Sequence, residues 1–278
     1  MICLFVITTL IGGWRADAQI VNYPSEPQIN TDSLRRAFAD QHYYFGLYKD
    51  NYFVFGPPIN KTPDKHNTNI KFQISIAQKL TKSTLPGGTY LYLFYTQKVF
   101  WNVLENSMPM TDLNFNPGIG LTKPLFVKNR FIGKLSLILE HESNGRDGLE
   151  SRSWNKVSFA GSIMVDQHFV VSAKFWIPIV DGENNHDILK YSGIYQVGWQ
   201  AMSTSRKFTM GVTLTRRAKG FFNYNTCVEA AWRWSTKSNQ YLFLQYYNGY
   251  GEGLLAYKQY VSQIRLGIVI KPTLFSEL

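Results

Sequence analysis

Nowhere in this chain do about 18 apolar residues run together, so no α-helix of this sequence is built to cross a bilayer. Cysteine is nearly missing. Of the two, Cys3 falls in the apolar N-terminal stretch and Cys227 is left alone, which excludes an intramolecular disulfide framework. There is no C-x-x-C, no His/Cys metal spacing, no G-x-G-x-x-G and no Walker-type loop, so zinc modules, dinucleotide enzymes and P-loop NTPases drop out. No Pro/Ser-rich linker, charge block or low-complexity tract divides the chain after about residue 50, and one domain is the simpler reading of 278 residues. Charged residues make up only 17%, below the roughly 25% of soluble domains.

What is present is apolar and aromatic. Hydrophobic residues supply 45% of the chain and aromatics 15%, enough for a large folded body. The net charge of +10 is spread along strand-like segments without a basic cluster, which favours anionic lipid head groups as partners and argues against nucleic acid. At the N-terminus, the apolar stretch Met1 to Gly13 is followed by Ala16-Asp17-Ala18, the small residues that flank a cleavage point. A secretory signal peptide over residues 1–18 is the expectation, although a basic n-region is missing. The alternative is a buried N-terminal strand.

After a loop-rich start to about residue 40, alternating runs of roughly eight to twelve residues recur, closed by Gly, Asn, Asp, Pro or Lys. They fall near 43–56, 69–80, 89–101, 113–124, 131–143, 155–165, 168–178, 191–201, 206–216, 222–235, 239–248 and 259–271. About twelve strands of this length predict an all-β fold, a transmembrane antiparallel β-barrel. The last run shows the dyad, with Tyr260, Ile264, Leu266, Ile268 and Ile270 on one face and Gln263, Arg265 and Lys271 on the other. In lipid only helices and closed barrels pair every backbone group, so apolar-out and polar-in implies closure. Tyr90, Tyr92, Phe100 and Trp101, then Trp232 and Trp234, then Tyr246, Tyr247 and Tyr250, are candidate interfacial girdles. The competing reading is the core of a soluble sandwich or lipocalin.

One hairpin carries candidate chemistry. His141 and Ser143 share a strand face, and the polar run after them leads to Asn155 on the returning strand. They continue the apolar face of Phe131, Leu135, Leu137 and Leu139, while Asn155 shares parity with Val157, Phe159, Ile163 and Val165. A lone His-x-Ser on a strand usually means nothing. Three polar groups on a lipid-facing wall need a reason, since a charge there costs about 2–4 kcal/mol at midplane and less near the interface. Hydrolysis of lipid esters supplies one: His141 as base, Ser143 as nucleophile and Asn155 holding the imidazole tautomer. Backbone amides at 143–145 or a bound cation are candidates to stabilise the oxyanion. The other histidines, His42, His66, His168 and His186, read as surface residues.

The segment His141-Glu-Ser143-Asn144-Gly145-Arg146, followed by Ser151-Arg152-Ser153-Trp154-Asn155-Lys156, closely resembles the active-site signature of the outer membrane phospholipase A family. Lys71 to Ala77, Tyr95-Thr-Gln97-Lys, Asn114-Phe-Asn-Pro117, Asp187 to Tyr191 and Tyr247 to Gly253 are similar to further family segments in order, covering about residues 65–271. The resemblance implies a twelve-strand barrel in the bacterial outer membrane, calcium-dependent hydrolysis of phospholipid acyl esters as a phospholipase A1/A2, and activation by reversible homodimerisation. It implies Ser143, His141 and Asn155 as the catalytic set. It further implies Ser151, the Arg146 carbonyl, Ser107 from across the dimer and Asp187 as Ca²⁺ contacts. Asp147 and Glu150 either join that site or are solvated. Gln97, by the same resemblance, falls at the dimer interface, the alternative being head-group contact at the membrane boundary.

The expected organisation is therefore a signal peptide at 1–18, an N-terminal periplasmic segment at 19–42 and a barrel at 43–278 with its catalytic hairpin at 131–165. Two other functions compete with the phospholipase: a non-catalytic barrel acting as a channel or lipid-binding structural protein, and a soluble secreted esterase.

Overall fold

The computed structural model describes residues 45–127, 130–180, 183–218 and 222–272. The expected signal peptide, the 19–42 segment and His42 lie outside the described residues. Among the described residues there are thirteen strands: β1 (Phe45–Leu47), β2 (Asn51–Gly56), β3 (Asn69–Lys79), β4 (Tyr90–Trp101), β5 (Met110–Val127), β6 (Arg130–Ser143), β7 (Ser153–Met164), β8 (Phe169–Ile179), β9 (Tyr195–Met202), β10 (Phe208–Arg216), β11 (Tyr224–Trp232), β12 (Gln240–Gly249) and β13 (Val261–Ile270). A short 3-10 turn (Gly148–Glu150) follows β6, and a helical turn, α1 (Leu189–Ser192), precedes β9.

Neighbours pair antiparallel in chain order from β2 to β13, and β13 returns to β2 through pairs such as Leu266 with Phe55, so twelve strands close a barrel. β1 and β2 both pair with β3, as two pieces of one wall strand interrupted at residues 48–50. At the closing seam the strands run so near that a Cβ on Gly56 or Gly267 would fall 2.0 Å from a carbonyl oxygen of the facing strand. Only glycine fits there.

The period-2 alternation decides which solvent each residue meets. On β6 the odd positions Leu135, Leu137 and Leu139 are exposed, while Ser136, Ile138 and Glu140 are buried. β13 repeats this, with Leu266 63% exposed beside Arg265 at 1%. A water-soluble domain does the reverse, so this is a transmembrane barrel with its charges inside.

Many of those charges are paired. Lys71 Nζ donates to Gln245 Oε1 (2.8 Å) and Glu252 Oε1 (3.0 Å), and Arg265 Nη1 reaches the same carboxylate at 2.7 Å. Lys174 meets Glu140 at 2.6 Å, Lys156 meets Glu142 at 2.8 Å, and Lys271 pairs with Asp50. A polar cavity of about 320 Å³ lies among them. Above it the β12–β13 loop folds into the mouth, where Leu254 and Tyr257 pack on Trp154 and Ile188.

Alternation also corrects part of the girdle expectation. Tyr90 and Phe100 share the lumen-facing parity of Lys98 on β4 and are buried, and Tyr247 lines the cavity. Trp232 and Trp234 are exposed as expected. The strand expected from residue 191 begins at Tyr195, because α1 and Gly193, at φ 95°, turn the chain first.

Glu252→Ala would leave Lys71 and Arg265 without their shared counter-charge, and a destabilisation of about 3–5 kcal/mol is expected. The measurement is the temperature at which the folded band converts to the unfolded one on gels. Burial pushes the Glu252 carboxyl up, but Arg265 and Lys71 outweigh it and hold it at about 2. A depressed carboxyl stabilises above its ordinary range, so this contribution should fade as pH drops from 4.5 towards 2. The substituted protein should lack that component of its pH dependence.

Candidate active site

The hairpin β6–β7 sets His141 directly opposite Asn155 and Ser143 opposite Ser153. His141 Nδ1 lies 2.9 Å from Asn155 Oδ1. An amide oxygen only accepts, so Nδ1 carries the proton and Nε2 is left with its lone pair, the tautomer a general base needs. Ser143, two residues on, shares the outer face with the imidazole. Among the described residues no hydrogen bond joins the two, and catalytic bonds commonly tighten only once substrate is bound.

Directly behind this outer set stands an inner one that sequence reasoning missed. Glu142 turns inward between His141 and Ser143, accepting from Trp154 Nε1 (3.0 Å) and Lys156 Nζ (2.8 Å) on β7. The signal was available: acidic and basic residues at even positions on two strands already expected to pair.

The connecting loop is built around Asn144, buried, whose backbone N–H donates to Arg152 O (3.1 Å) and whose Nδ2 donates to Glu150 O (2.8 Å). Its Oδ1 accepts from the N–H groups of Arg152 (3.0 Å) and Arg146 (3.4 Å). Gly145 sits at φ 65°, where a Cβ would also come within 3.0 Å of the Phe115 ring. Among the described residues its N–H has no partner, whereas that of Asn144 is taken. The loop rests on Asn184, which donates to Gly148 O (2.9 Å), and on fully buried Asn185, whose Nδ2 donates to Ser153 O (2.8 Å).

The four residues expected to contact calcium are placed differently. Ser151 and Arg146 share the hairpin loop, and the Arg146 guanidinium is drawn away by Glu150 and by Thr111 O (2.8 Å). The Ser151 hydroxyl makes no hydrogen bond among the described residues. Ser107 is exposed on the β4–β5 loop, beside Met108 at φ 42°. Asp187, on the β8–β9 loop, accepts from Tyr257 Oη at 2.5 Å and pairs with Lys258 at 3.1 Å. Partial burial pushes its carboxyl up, but those two partners outweigh it and hold it below its ordinary value. Glu150 is engaged by Arg146, and Asp147 is exposed. No group of three or more His, Cys, Asp or Glu able to hold a metal occurs among the described residues. Hard neutral oxygens, from a serine hydroxyl and a peptide carbonyl, suit Ca²⁺ in kind.

Gln97 lies on the outer wall of β4, where Tyr95 Oη donates to its Oε1 at 3.1 Å.

Comparison with known proteins gives a consistent picture. The phospholipase A1 family model matches residues 38–270. Phospholipase A1 of Salmonella typhimurium is 28% identical over 281 residues, 94% of this chain and 93% of that protein. The Escherichia coli K12 phospholipase A1 is 29% identical over 210 residues, 72% of this chain and 69% of that protein. Among solved structures, the Salmonella typhi outer membrane phospholipase dimer with bound calcium superposes with a TM-score of 0.73 at 23% identity, over 85% of this chain and 96% of that one. Outer membrane phospholipase A from Escherichia coli gives 0.71 at 22% identity, over 82% and 99%.

Asn144→Ala should remove the three side-chain hydrogen bonds that Asn144 makes within the loop while leaving the strands paired. Trypsin cleavage after Arg146 or Arg152 is then expected to rise about tenfold or more, the scale of one or two lost buried hydrogen bonds. Mass spectrometry of the fragments, with the barrel still heat-resistant on gels, is the check.

Proposed function

The chain belongs to the phospholipase A1 family, and from that premise we propose that it is a phospholipase of the bacterial outer membrane that uses Ser143, His141 and Asn155 to hydrolyse acyl esters of glycerophospholipids. The observation that carries this reading is the 2.9 Å contact between His141 Nδ1 and Asn155 Oδ1 on the lipid-facing wall beside Ser143.

In this mechanism His141 Nε2 takes the proton from Ser143 Oγ as that oxygen attacks the ester carbonyl carbon. Asn155 keeps the ring oriented and its tautomer fixed, and the Gly145 N–H is the free donor beside the developing oxyanion. The imidazolium returns its proton to the departing glycerol oxygen, releasing the lysophospholipid and leaving Ser143 acylated. Water, deprotonated by His141, then attacks the acyl carbon, and fatty acid and free Ser143 result. Either acyl position presents the same ester chemistry, so both A1 and A2 cleavage belong to the proposal.

Ser151 and the Arg146 carbonyl would hold Ca²⁺, with Ser107 of a second copy completing the set in a reversible homodimer. When bound, the ion supplies positive charge near the acyl oxygen. Exposure of Ser107 supports a contribution to another molecule rather than to its own hairpin. Asp187 joins only if its contacts with Tyr257 and Lys258 open.

Fatty-acid release from phospholipid in detergent micelles, with Ca²⁺ or with EDTA, tests the proposal. Parent protein should turn over with Ca²⁺ and fall silent in EDTA. Ser143→Ala should lose about 10³-fold or more while keeping a heat-resistant barrel, and Asn155→Ala should lose less. Silence of folded parent protein with Ca²⁺, under conditions that allow dimers, would turn the reading to a channel or lipid-binding barrel. Recovery in the aqueous phase without detergent would instead support a soluble esterase.

A further inference from the structure

Pro117 is misplaced by the ordinary rules of sheets. Proline has no N–H to give a ladder and is confined to edges, strand starts and bulges, yet Pro117 lies within β5 in a closed barrel that has no edge. The β5–β6 pairing shows the consequence: it runs through Phe115 with Ser143, lapses, and resumes at Gly118 with Glu140. By that register the residue across from Pro117 is His141.

The gap is bridged by a side chain. Asn116 Nδ2 donates to the backbone carbonyl of His141 at 2.8 Å. Because that carbonyl is met from β5, His141 and Pro117 form the kind of opposed pair that would exchange backbone hydrogen bonds, and the Pro117 N–H is the missing donor. Asn116 shares the inward parity of Asp112 and Asn114 and lines the lumenal cavity, so its amide arrives from behind the catalytic wall.

We infer that Asn116 is a positioning residue for the catalytic base: its side-chain amide replaces the backbone donor that Pro117 lacks and fixes the His141 peptide plane. The inference rests on His141 being the base. Without the amide the peptide is free to tilt, and the imidazole moves with it relative to Ser143 and Asn155. Misplacement of a catalytic group by about 1 Å costs on the order of a hundredfold in rate.

The test measures kcat and KM separately on micellar phospholipid with Ca²⁺, using only protein that migrates as folded barrel. Asn116→Ala is expected to lower kcat by about tenfold to a hundredfold with KM within about twofold of the parent. Combining it with Pro117→Val supplies a backbone N–H opposite His141, and kcat should return to within about threefold of the parent by the same measure. Asn116→Ala with parental kcat, or a double variant as impaired as the single, overturns the inference. His141→Ala separates this from the underlying reading. If it retains turnover, the base assignment falls and takes the inference with it; if it is silent while Asn116→Ala is unimpaired, only the role of Asn116 is lost.

Discussion

A closed sheet in lipid gives consecutive residues opposite surroundings, one in hydrocarbon and the next in the lumen, with every backbone group paired in between. This constraint makes the proposed catalytic hairpin possible. His141, Glu142 and Ser143 are adjacent in sequence, yet the first and third stand on the outer wall while the second is clamped inside by Trp154 and Lys156. The inner contacts hold β6 against β7 at the level where the outer residues must meet. Chemistry and scaffold are thus interleaved residue by residue, as a helix or loop would not allow.

The buried charges act on the same register. An ion pair taken out of water contributes little net stability compared with apolar packing, because desolvation cancels much of the attraction. Its larger effect here is on the alternatives. A slip by one residue would send every inward charge to the lipid face. Glu140 with Lys174 ties β6 to β8, and Lys71 with Glu252 and Arg265 ties β3 to β13 through the β12–β13 loop. These links span strands that are not neighbours in the ring, so they fix the barrel's stagger as a whole. The His141–Asn155 pairing depends on that stagger.

Period-2 alternation made the twelve wall strands, their bounds to within a few residues, and the outward face of His141, Ser143 and Asn155 legible in the sequence. The inward aromatics were legible too, since Tyr90 and Phe100 share the parity of Lys98, but aromatic content at strand ends was the weaker guide. What could not be read was set by segments meeting from far along the chain. Asp187 finds Tyr257 across 70 positions, and Leu254 N–H finds Asn114 Oδ1 across 140. The β12–β13 loop carries no periodic pattern, so nothing local announces that it folds into the barrel mouth. The role of Asn116 escaped for a different reason: it depends on which of two opposed pairs in a ladder exchanges bonds, and hydrophobic patterning does not record that.

The neutral character of the proposed catalytic set follows from its position. A carboxylate in place of Asn155 would better stabilise the imidazolium of the proposed mechanism, but on the outer wall it would meet lipid whenever the enzyme is idle. A charge on that face is destabilising in a depth-dependent way, up to about 2–4 kcal/mol for a basic group and less for a carboxylate. Asparagine orients the ring through the same oxygen and carries no charge between turnovers. In the proposed mechanism the electrostatic help it does not give would come from a group bound only during catalysis. Loop oxygens on Ser151 and Arg146, which do not themselves bring charge into the wall, are suited to recruiting such a group and releasing it. A resident anion would keep the site permanently poised in its own membrane, whereas in the proposed mechanism a neutral set with a removable cation would tie activity to assembly.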